Sequence, residues 1–163
     1  MGDDEDGHRL LLPAGAETTF RLIGNLLHAL LSHPPALAAA LADDAKLEWA
    51  MEETLRWESP VQYAARETTA PATLSGVALP TGAPIMVALG SANRDERRFV
   101  DPDAFRLDRR PEDHMGFGFG RHFCVGAHLA RLEARTAVRA LLRRFRTSVS
   151  RPAPSMASSV SRS

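Results

Sequence analysis

The chain has 163 residues, of which 44% are apolar and 25% charged, and its 20 Lys and Arg residues balance its 20 Asp and Glu residues. This composition supports a packed domain, and a net charge of zero provides no overall positive field for nucleic acid or an anionic membrane. The most apolar stretch, Leu22 to Leu31, is shorter than the roughly 20 residues that span a bilayer. The acidic residues 3–6 are also unlike a basic targeting signal. We therefore expect a cytoplasmic protein that binds neither nucleic acid nor membranes.

Helical periodicity predicts two helices in the first part of the chain. Apolar residues recur with helical spacing from Leu10 to Leu31, and the prolines of the HPP sequence at 33–35 end this helix. A second pattern puts three apolar residues on one helix face, namely Leu47, Met51 and Leu55. Ser59 and Pro60 are expected to end that second helix.

The sequence pattern in the middle of the chain is typical of short strands and loops. Between Val61 and Leu89, β-prone pieces are separated by SG and PTG turn sequences, which predicts a small sheet with residues 85–89 as its most buried strand. Residues 91–123 are rich in Asp, Arg, Pro, Gly and Phe without a sustained period. We predict a long ordered loop there, and such loops are usually functional.

A last helix is predicted from near Cys124 to about Phe145. Its closely packed stripe is expected to contain Ala130, Ala134, Ala137 and Leu141, with Val138, Leu142 and Phe145 beside it. Residues 148–163 are rich in Ser and lack a core-forming pattern, so they are expected to be disordered. The sequence thus predicts a folded part, residues 1–147, that is mainly α with a small β-sheet.

The loop FGFGRHFCVG, residues 117–126, presents the only cysteine of the chain, Cys124, near the start of the last helix. Free N–H groups and the helix dipole at such a position stabilise a thiolate, which binds iron or attacks electrophiles. The alternative is a buried, inert cysteine. Zinc is disfavoured because neither His122 nor His128 has the partner spacing of a tetrahedral site. A single thiolate suits an axial ligand of haem iron.

The same loop resembles the haem-binding signature of the cytochrome P450 family, Phe-Gly-x-Gly-x-His/Arg-x-Cys-x-Gly, at all six fixed positions. The resemblance implies haem b, iron protoporphyrin IX, with Cys124 as the axial ligand of the iron. It further implies that His122 binds a propionate, that Phe117 packs near the sulfur and that Gly126 lets the helix approach the porphyrin. Gly118 completes the cofactor-binding positions.

The segment EETLRW places Glu53 and Arg56 three residues apart on the second helix. Taken alone, such a pair is typical of a solvated helix surface. The segment resembles the Glu-x-x-Arg element of the same family, which implies a buried pair tied to the loop before the cysteine. A further arginine completes that network in the family, and Ala104 stands where some members carry it. Arg109 or Arg106 would then be the third partner.

The segment AGAETT places the small residues Ala14 and Gly15 before an acid and two hydroxyls in the first helix. Small residues leave room for a ligand, and the Thr18 hydroxyl can bond to a carbonyl one turn earlier. A capping box is the structural alternative, although the acid here precedes the hydroxyls. The segment resembles the oxygen-activation motif of the family, which implies that Thr18 and Glu17 deliver protons and that Ala14 faces the substrate.

The segment QYAARETT places Arg66 in a strand-like stretch after the second helix. An exposed surface arginine is the alternative reading. The resemblance implies instead that Arg66 reaches a haem propionate with its planar guanidinium, and that Val61 and Gln62 face the substrate.

Together these motifs imply the carboxyl-terminal half of the cytochrome P450 fold, incomplete because the family members are much longer. The implied activity is a haem-thiolate monooxygenase that hydroxylates C–H bonds or epoxidises a small organic molecule with O₂. Electrons would come from NAD(P)H through ferredoxin reductase and ferredoxin. The alternative is a catalytically inert fragment that binds haem weakly or not at all. Residues 7–12 are where we expect family sequence to be missing.

Overall fold

The computed structural model describes the backbone of residues 3–111 and 113–145, and side chains within these ranges from residue 13 onward. The described part is mainly helical, as predicted, with four longer helices: α1 (Asp3–Ser32), α2 (Pro34–Ala42), α3 (Asp44–Trp57) and α5 (Ala127–Arg144). A short helix, α4 (Leu89–Ala92), lies between them in the chain. Within these ranges, none of the helices combines the length and apolar composition needed to cross a bilayer. The predicted boundary after residue 147 and the tail at 148–163 lie outside the described residues.

The core lies where α1, α2, α3 and α5 meet. The predicted face of α3 is confirmed, because Leu47, Met51 and Leu55 are each at most 3% exposed. The Asp43 side chain begins this helix by accepting a hydrogen bond from the backbone N–H of Ala45 at 2.9 Å. Helix α1 contributes three leucines to the same core, Leu22, Leu26 and Leu30. Burial of these apolar stripes fixes α1 and α3 against each other.

Helix α2 is a finding that the sequence analysis missed. The prolines at 34 and 35 do end α1, as predicted, but Pro34 also begins a new helix. Proline is favoured in the first helical turn because its missing N–H has no helical partner there. The sequence PPALAAALA is apolar throughout and has no amphipathic pattern, so periodicity does not reveal this helix.

The strands form two small antiparallel sheets instead of one. Strand β1 (Tyr63–Glu67) pairs with β4 (Pro84–Ala88), with Tyr63 opposite Ala88. Strand β2 (Ala72–Leu74) pairs with β3 (Val77–Leu79) across a two-residue turn at 75–76, where both residues have positive φ. The prediction that 85–89 forms a buried strand is wrong, because β4 is mostly exposed and the buried Leu89 already belongs to α4. A two-stranded ribbon lacks the covering layers that bury a central strand.

Helix α5 ends close to the predicted point, but its buried face is shifted from the predicted stripe toward Val138 and Leu142, which were expected beside it. The buried residues are Ala127, Ala134, Val138 and Leu142. Of the predicted stripe only Ala134 is fully buried, since Ala130 and Ala137 are half-buried and Leu141 is exposed. Ala130 and Ala137 line a cleft next to α1. The small residues of α5 therefore line the cleft at some positions and pack in the core at others.

Candidate functional site

An open cleft of about 1380 Å³ lies between α1, β1, the cysteine loop and α5. Many of the predicted site residues line it, including Ala14, Thr18, Arg66, Phe117, His122 and Cys124. Its walls are mainly apolar, with contributions from Leu22, Ile23, Val87, Leu129 and Leu132. Apolar walls with a few convergent polar groups are typical of a small-molecule or cofactor site.

The cysteine loop reaches the cleft through a tight backbone path. Gly118 and Gly120 have φ values of +74° and +61°, which L side chains rarely adopt. The backbone N–H of Cys124 donates to the carbonyl oxygen of Phe117 at 2.9 Å and closes the loop. A Cβ atom on Gly118 would come within 3.1 Å of the His122 carbonyl oxygen. Both glycines are thus needed for the path that presents Cys124.

The thiol of Cys124 is exposed and lies just before α5. The backbone N–H of Ala127, the first residue of α5, donates to the Cys124 carbonyl oxygen at 3.3 Å. A Cβ atom on Gly126 would lie 3.9 Å from the Cys124 sulfur, which is an ordinary van der Waals contact. The alternative of a buried cysteine therefore does not agree with the structure.

Glu53 and Arg56 are fully buried and form a bidentate ion pair, with NH2 donating to Oε1 at 2.7 Å and Nε to Oε2 at 2.8 Å. The reading of these residues as a solvated surface pair is therefore wrong. Arg109 Nε also donates to Glu53 Oε1, at 3.1 Å. Arg106 contributes only its backbone N–H to this carboxylate, because its side chain pairs with Asp108. Of the two candidate arginines, the structure brings Arg109 to the network.

Arg56 ties α3 to the long loop that precedes the cysteine. Its guanidinium donates to three backbone carbonyl oxygens, those of Asn93, Pro102 and Ala104, at 2.8 to 3.1 Å. Asn93 is itself fully buried, and its Oδ1 accepts from the backbone N–H of Met115 at 2.6 Å. The sequence analysis missed Asn93, because a single amide after a strand carries no spacing pattern. These bonds place the cysteine loop against α3.

Thr18 and Glu17 take different positions on α1. The Thr18 hydroxyl donates to the Ala14 carbonyl oxygen at 2.7 Å, the backbone bond expected for it, and its side chain lines the cleft. Glu17 is about 63% exposed and accepts from the Arg21 guanidinium at 2.7 Å. The structure thus places Thr18 at the cleft, whereas Glu17 is engaged on the outer surface of α1.

The three site residues predicted after α3, namely Val61, Gln62 and Arg66, do not all lie at the cleft. Val61 and Arg66 line the cleft, and Arg66 is exposed in β1, where its guanidinium donates to the Ala65 carbonyl oxygen at 2.7 Å. Gln62 instead directs its Nε2 to the Ser59 carbonyl oxygen at 2.7 Å and lies against Gly90. Its side chain is held by these neighbours and is not among the described residues that line the cleft.

A second charged cluster that the sequence analysis missed lies beside the cysteine loop. Glu52 accepts from Arg131 Nε at 2.6 Å and NH2 at 2.9 Å, and His114 Nε2 lies 3.0 Å from its Oε2. Burial raises the pKa of Glu52, but the hydrogen bonds from His114 and Arg131 outweigh it and lower the pKa to about 2. The Glu52 hydrogen bond is also the main cause that raises the pKa of Arg131. Glu52 is therefore ionised and firmly paired.

Comparison with known proteins agrees with the motifs. The cytochrome P450 family model matches residues 45–161. Cytochrome P450 monooxygenase PikC of Streptomyces venezuelae is 50% identical over 153 residues, covering 86% of this chain and 37% of the relative. Cytochrome P450 107B1 of Saccharopolyspora erythraea is 54% identical over 137 residues, covering 83% of this chain and 34% of the relative.

Solved structures show the same relationship in three dimensions. The ligand-free structure of cytochrome P450 TbtJ1 superposes with a TM-score of 0.82 at 45% identity and covers 86% of this chain and 38% of that one. The chain belongs to the cytochrome P450 family. It spans roughly a third of the length of these relatives, from 34% to 38%.

Proposed function

We propose that this chain supplies the haem-thiolate side of a cytochrome P450 monooxygenase that hydroxylates C–H bonds of, or epoxidises, a small organic molecule. The observation that carries the proposal is the exposed thiol of Cys124 in the wall of a large apolar cleft, immediately before α5. A thiolate at that position can bind iron, and the cleft has room for a flat apolar cofactor.

The residues at the cleft fit haem b. Cys124 would supply the thiolate that binds the haem iron, and an added Cβ on Gly126 would touch that sulfur at 3.9 Å. Gly118 would keep the loop tight, and Phe117 would offer an apolar surface near the thiolate. His122 and Arg66 are the polar residues of the cleft proposed to bind the propionates. When bound, the haem would supply the activation of dioxygen, and Cys124 would supply the thiolate donation to its iron.

The proposed task of α1 is to hold a proton and to shape the substrate space. The Thr18 hydroxyl, bonded to the Ala14 carbonyl oxygen, can donate or accept a hydrogen bond at the cleft wall. The side chain of Ala14 is small, so this part of the cleft wall leaves space for a substrate. Glu17 can contribute protons only after its ion pair with Arg21 opens, so Thr18 is the principal proton-positioning residue in this proposal.

The remaining parts of the proposal concern the partners. We infer that electrons come from NAD(P)H through ferredoxin reductase and ferredoxin in the cytoplasm. The exposed Arg121, three residues from Cys124, offers a positive charge to an acidic donor protein. The apolar cleft favours an apolar small-molecule substrate.

Haem titration tests the proposal. The chain is expected to bind one equivalent of haem with a Soret change, and Cys124→Ser is expected to weaken binding at least tenfold because the iron loses its charged ligand. Val125→Ser is the matched control, since Val125 is the adjacent residue and is 93% exposed. Equal haem binding by the parent and Cys124→Ser would refute the thiolate ligand.

A further inference from the structure

Helices α3 and α5 are joined by a regular series of ion pairs, here called the charge ladder. Arginines recur every fourth residue on α5, and carboxylates recur every fourth residue in the opposite direction on α3. The pairs are Arg131 with Glu52, Arg135 with Glu48, and Arg139 with Asp44. Because residues four apart lie on one helix face, the ladder fixes the register of the two helices.

The three pairs of the charge ladder are not equivalent. The exposed fraction of the carboxylate side chain is 25% for Glu52, 46% for Glu48 and 60% for Asp44. Screening by water weakens the exposed pairs. The Glu52 pair is also bidentate and is reinforced by His114, whose side chain is only 4% exposed. The ladder is therefore tightest at the end beside the cysteine loop.

That end of the ladder contacts the first residue of the cysteine loop, Phe117, and the residue just before it, Gly116. His114 Nδ1 accepts from the backbone N–H of Gly116 at 3.0 Å, so its Nε2–H donates to Glu52. The Arg131 guanidinium lies 4.5 Å from the centroid of the Phe117 ring, a cation–π contact. The Phe117 carbonyl oxygen in turn accepts from the Cys124 N–H at 2.9 Å. A continuous chain of contacts thus runs from Glu52 to Cys124.

We propose that Arg131, clamped by Glu52 and His114, is a positioning residue that holds Phe117 and thereby sets the place of Cys124. The Glu53–Arg56 pair anchors the loop from the side of residues 93–106, and the Arg131 cluster anchors it from α5. Arg135 and Arg139 pair with Glu48 and Asp44, farther along the ladder from the loop. That the positioned thiol serves as an iron ligand rests on the proposed function, whereas the positioning itself does not.

Hydrogen exchange of the full chain without haem tests the positioning. In Arg131→Gln, peptides covering residues 114–126 are expected to exchange at least about fivefold faster, because the loop opens locally once Phe117 loses its contact. Arg135→Gln is the matched control, since it removes the next ion pair of the same ladder. It is expected to leave those peptides unchanged. Arg131→Lys keeps the charge but loses the bidentate fork, and an intermediate rate is expected.

Glu52→Gln provides a second route to the same result, with an almost unchanged side-chain shape. Equal acceleration of residues 114–126 in Arg131→Gln and Arg135→Gln would overturn the proposal, as would no acceleration in both Arg131→Gln and Glu52→Gln. These hydrogen-exchange measurements need no haem. They can therefore refute the positioning role of Arg131 without refuting the proposal that Cys124 binds haem iron.

A spectroscopic readout separates the two proposals. With haem, sodium dithionite and carbon monoxide added, Arg131→Gln is expected to lose at least half of the red-shifted thiolate band of the parent. Arg135→Gln is expected to keep it. A full band in Arg131→Gln would contradict the positioning role, whereas absence of the band in the parent would count against the haem-thiolate proposal alone.

Discussion

At the scale of single residues, burial separates ion pairs that are alike in sequence. Glu53 and Arg56 form a pair at 0% exposure, whereas Glu17 and Arg21 form a pair at about 60% exposure. Removing one partner of a buried pair leaves an uncompensated charge, so we expect Glu53→Ala to lower the free energy of unfolding by about 3–5 kcal/mol. Glu17→Ala should change it by less than about 0.5 kcal/mol. Urea unfolding of both variants checks the difference, and similar losses would contradict the network as a structural anchor.

The two glycines Gly118 and Gly24 provide a second contrast. Gly118 has φ of +74°, and an added Cβ would lie 3.1 Å from the His122 carbonyl oxygen. We expect Gly118→Ala to destabilise the fold by about 1–3 kcal/mol. Gly24 lies within α1 with no atom within 4 Å of an added Cβ, so Gly24→Ala should stabilise by about 0.5–1 kcal/mol. Thermal unfolding measures both, and a neutral Gly118→Ala would show that the loop path is not strained.

The role of Thr18 can be separated from that of Cys124. In a haem-loaded protein that joins this chain to the amino-terminal part present in its longer relatives, and that is supplied with electron donors, Thr18→Ala should keep the thiolate spectrum but release more hydrogen peroxide per NAD(P)H. The hydroxyl is proposed to position protons and not to bind iron. Its loss should therefore divert electrons from substrate oxidation to the formation of hydrogen peroxide. Thr18→Ser retains the hydroxyl and is the control. An unchanged ratio of peroxide to NAD(P)H in Thr18→Ala would return Thr18 to a structural role on α1.

At the scale of elements, the contact between α3 and α5 should be sensitive to acid. The pKa of Glu52 is lowered from its ordinary value of 4.5 to about 2, so its paired charge stabilises the fold fully above pH 4.5. This contribution is lost as pH falls through the interval from 4.5 to 2. The loss is at most about 3 kcal/mol, reduced by the partial exposure of Glu52. Glu52→Gln should flatten the stability profile across this interval in urea titrations, and an unchanged slope would contradict the pairing.

Amphipathic sequence patterns predicted the helices that bury one face. They did not predict elements that lack such a pattern. The Leu47, Met51 and Leu55 face of α3 lies in the core, as predicted. Helix α2 was missed because PPALAAALA is apolar on every side. The stripe on α5 was misplaced because its small residues line the cleft as well as the core, and spacing cannot distinguish the two surfaces. One signal was present in the sequence: carboxylates recur every fourth residue on α3, and arginines recur every fourth residue on α5. This spacing indicates the charge ladder.

At the scale of the whole molecule, the candidate site combines residues that motifs reveal with residues that only the fold reveals. The sequence around Cys124 identified the loop, since glycines and a lone cysteine are local features. Asn93 and His114 connect distant parts of the chain, and nothing in their local sequence indicates a buried hydrogen-bonding role. The hydrogen bond from Gln62 to Ser59 could not be predicted, because the direction of a side chain after a helix depends on its tertiary neighbours.

The proposed role of Cys124 as the thiolate ligand of haem iron can be measured in the spectrum of the reduced, carbon monoxide-bound protein. A red-shifted Soret band is expected in the haem-loaded parent, because thiolate donation changes the electronic structure of the haem. The band should be absent from Cys124→Ser and retained in Val125→Ser. Identical spectra of the parent and Cys124→Ser would contradict the account.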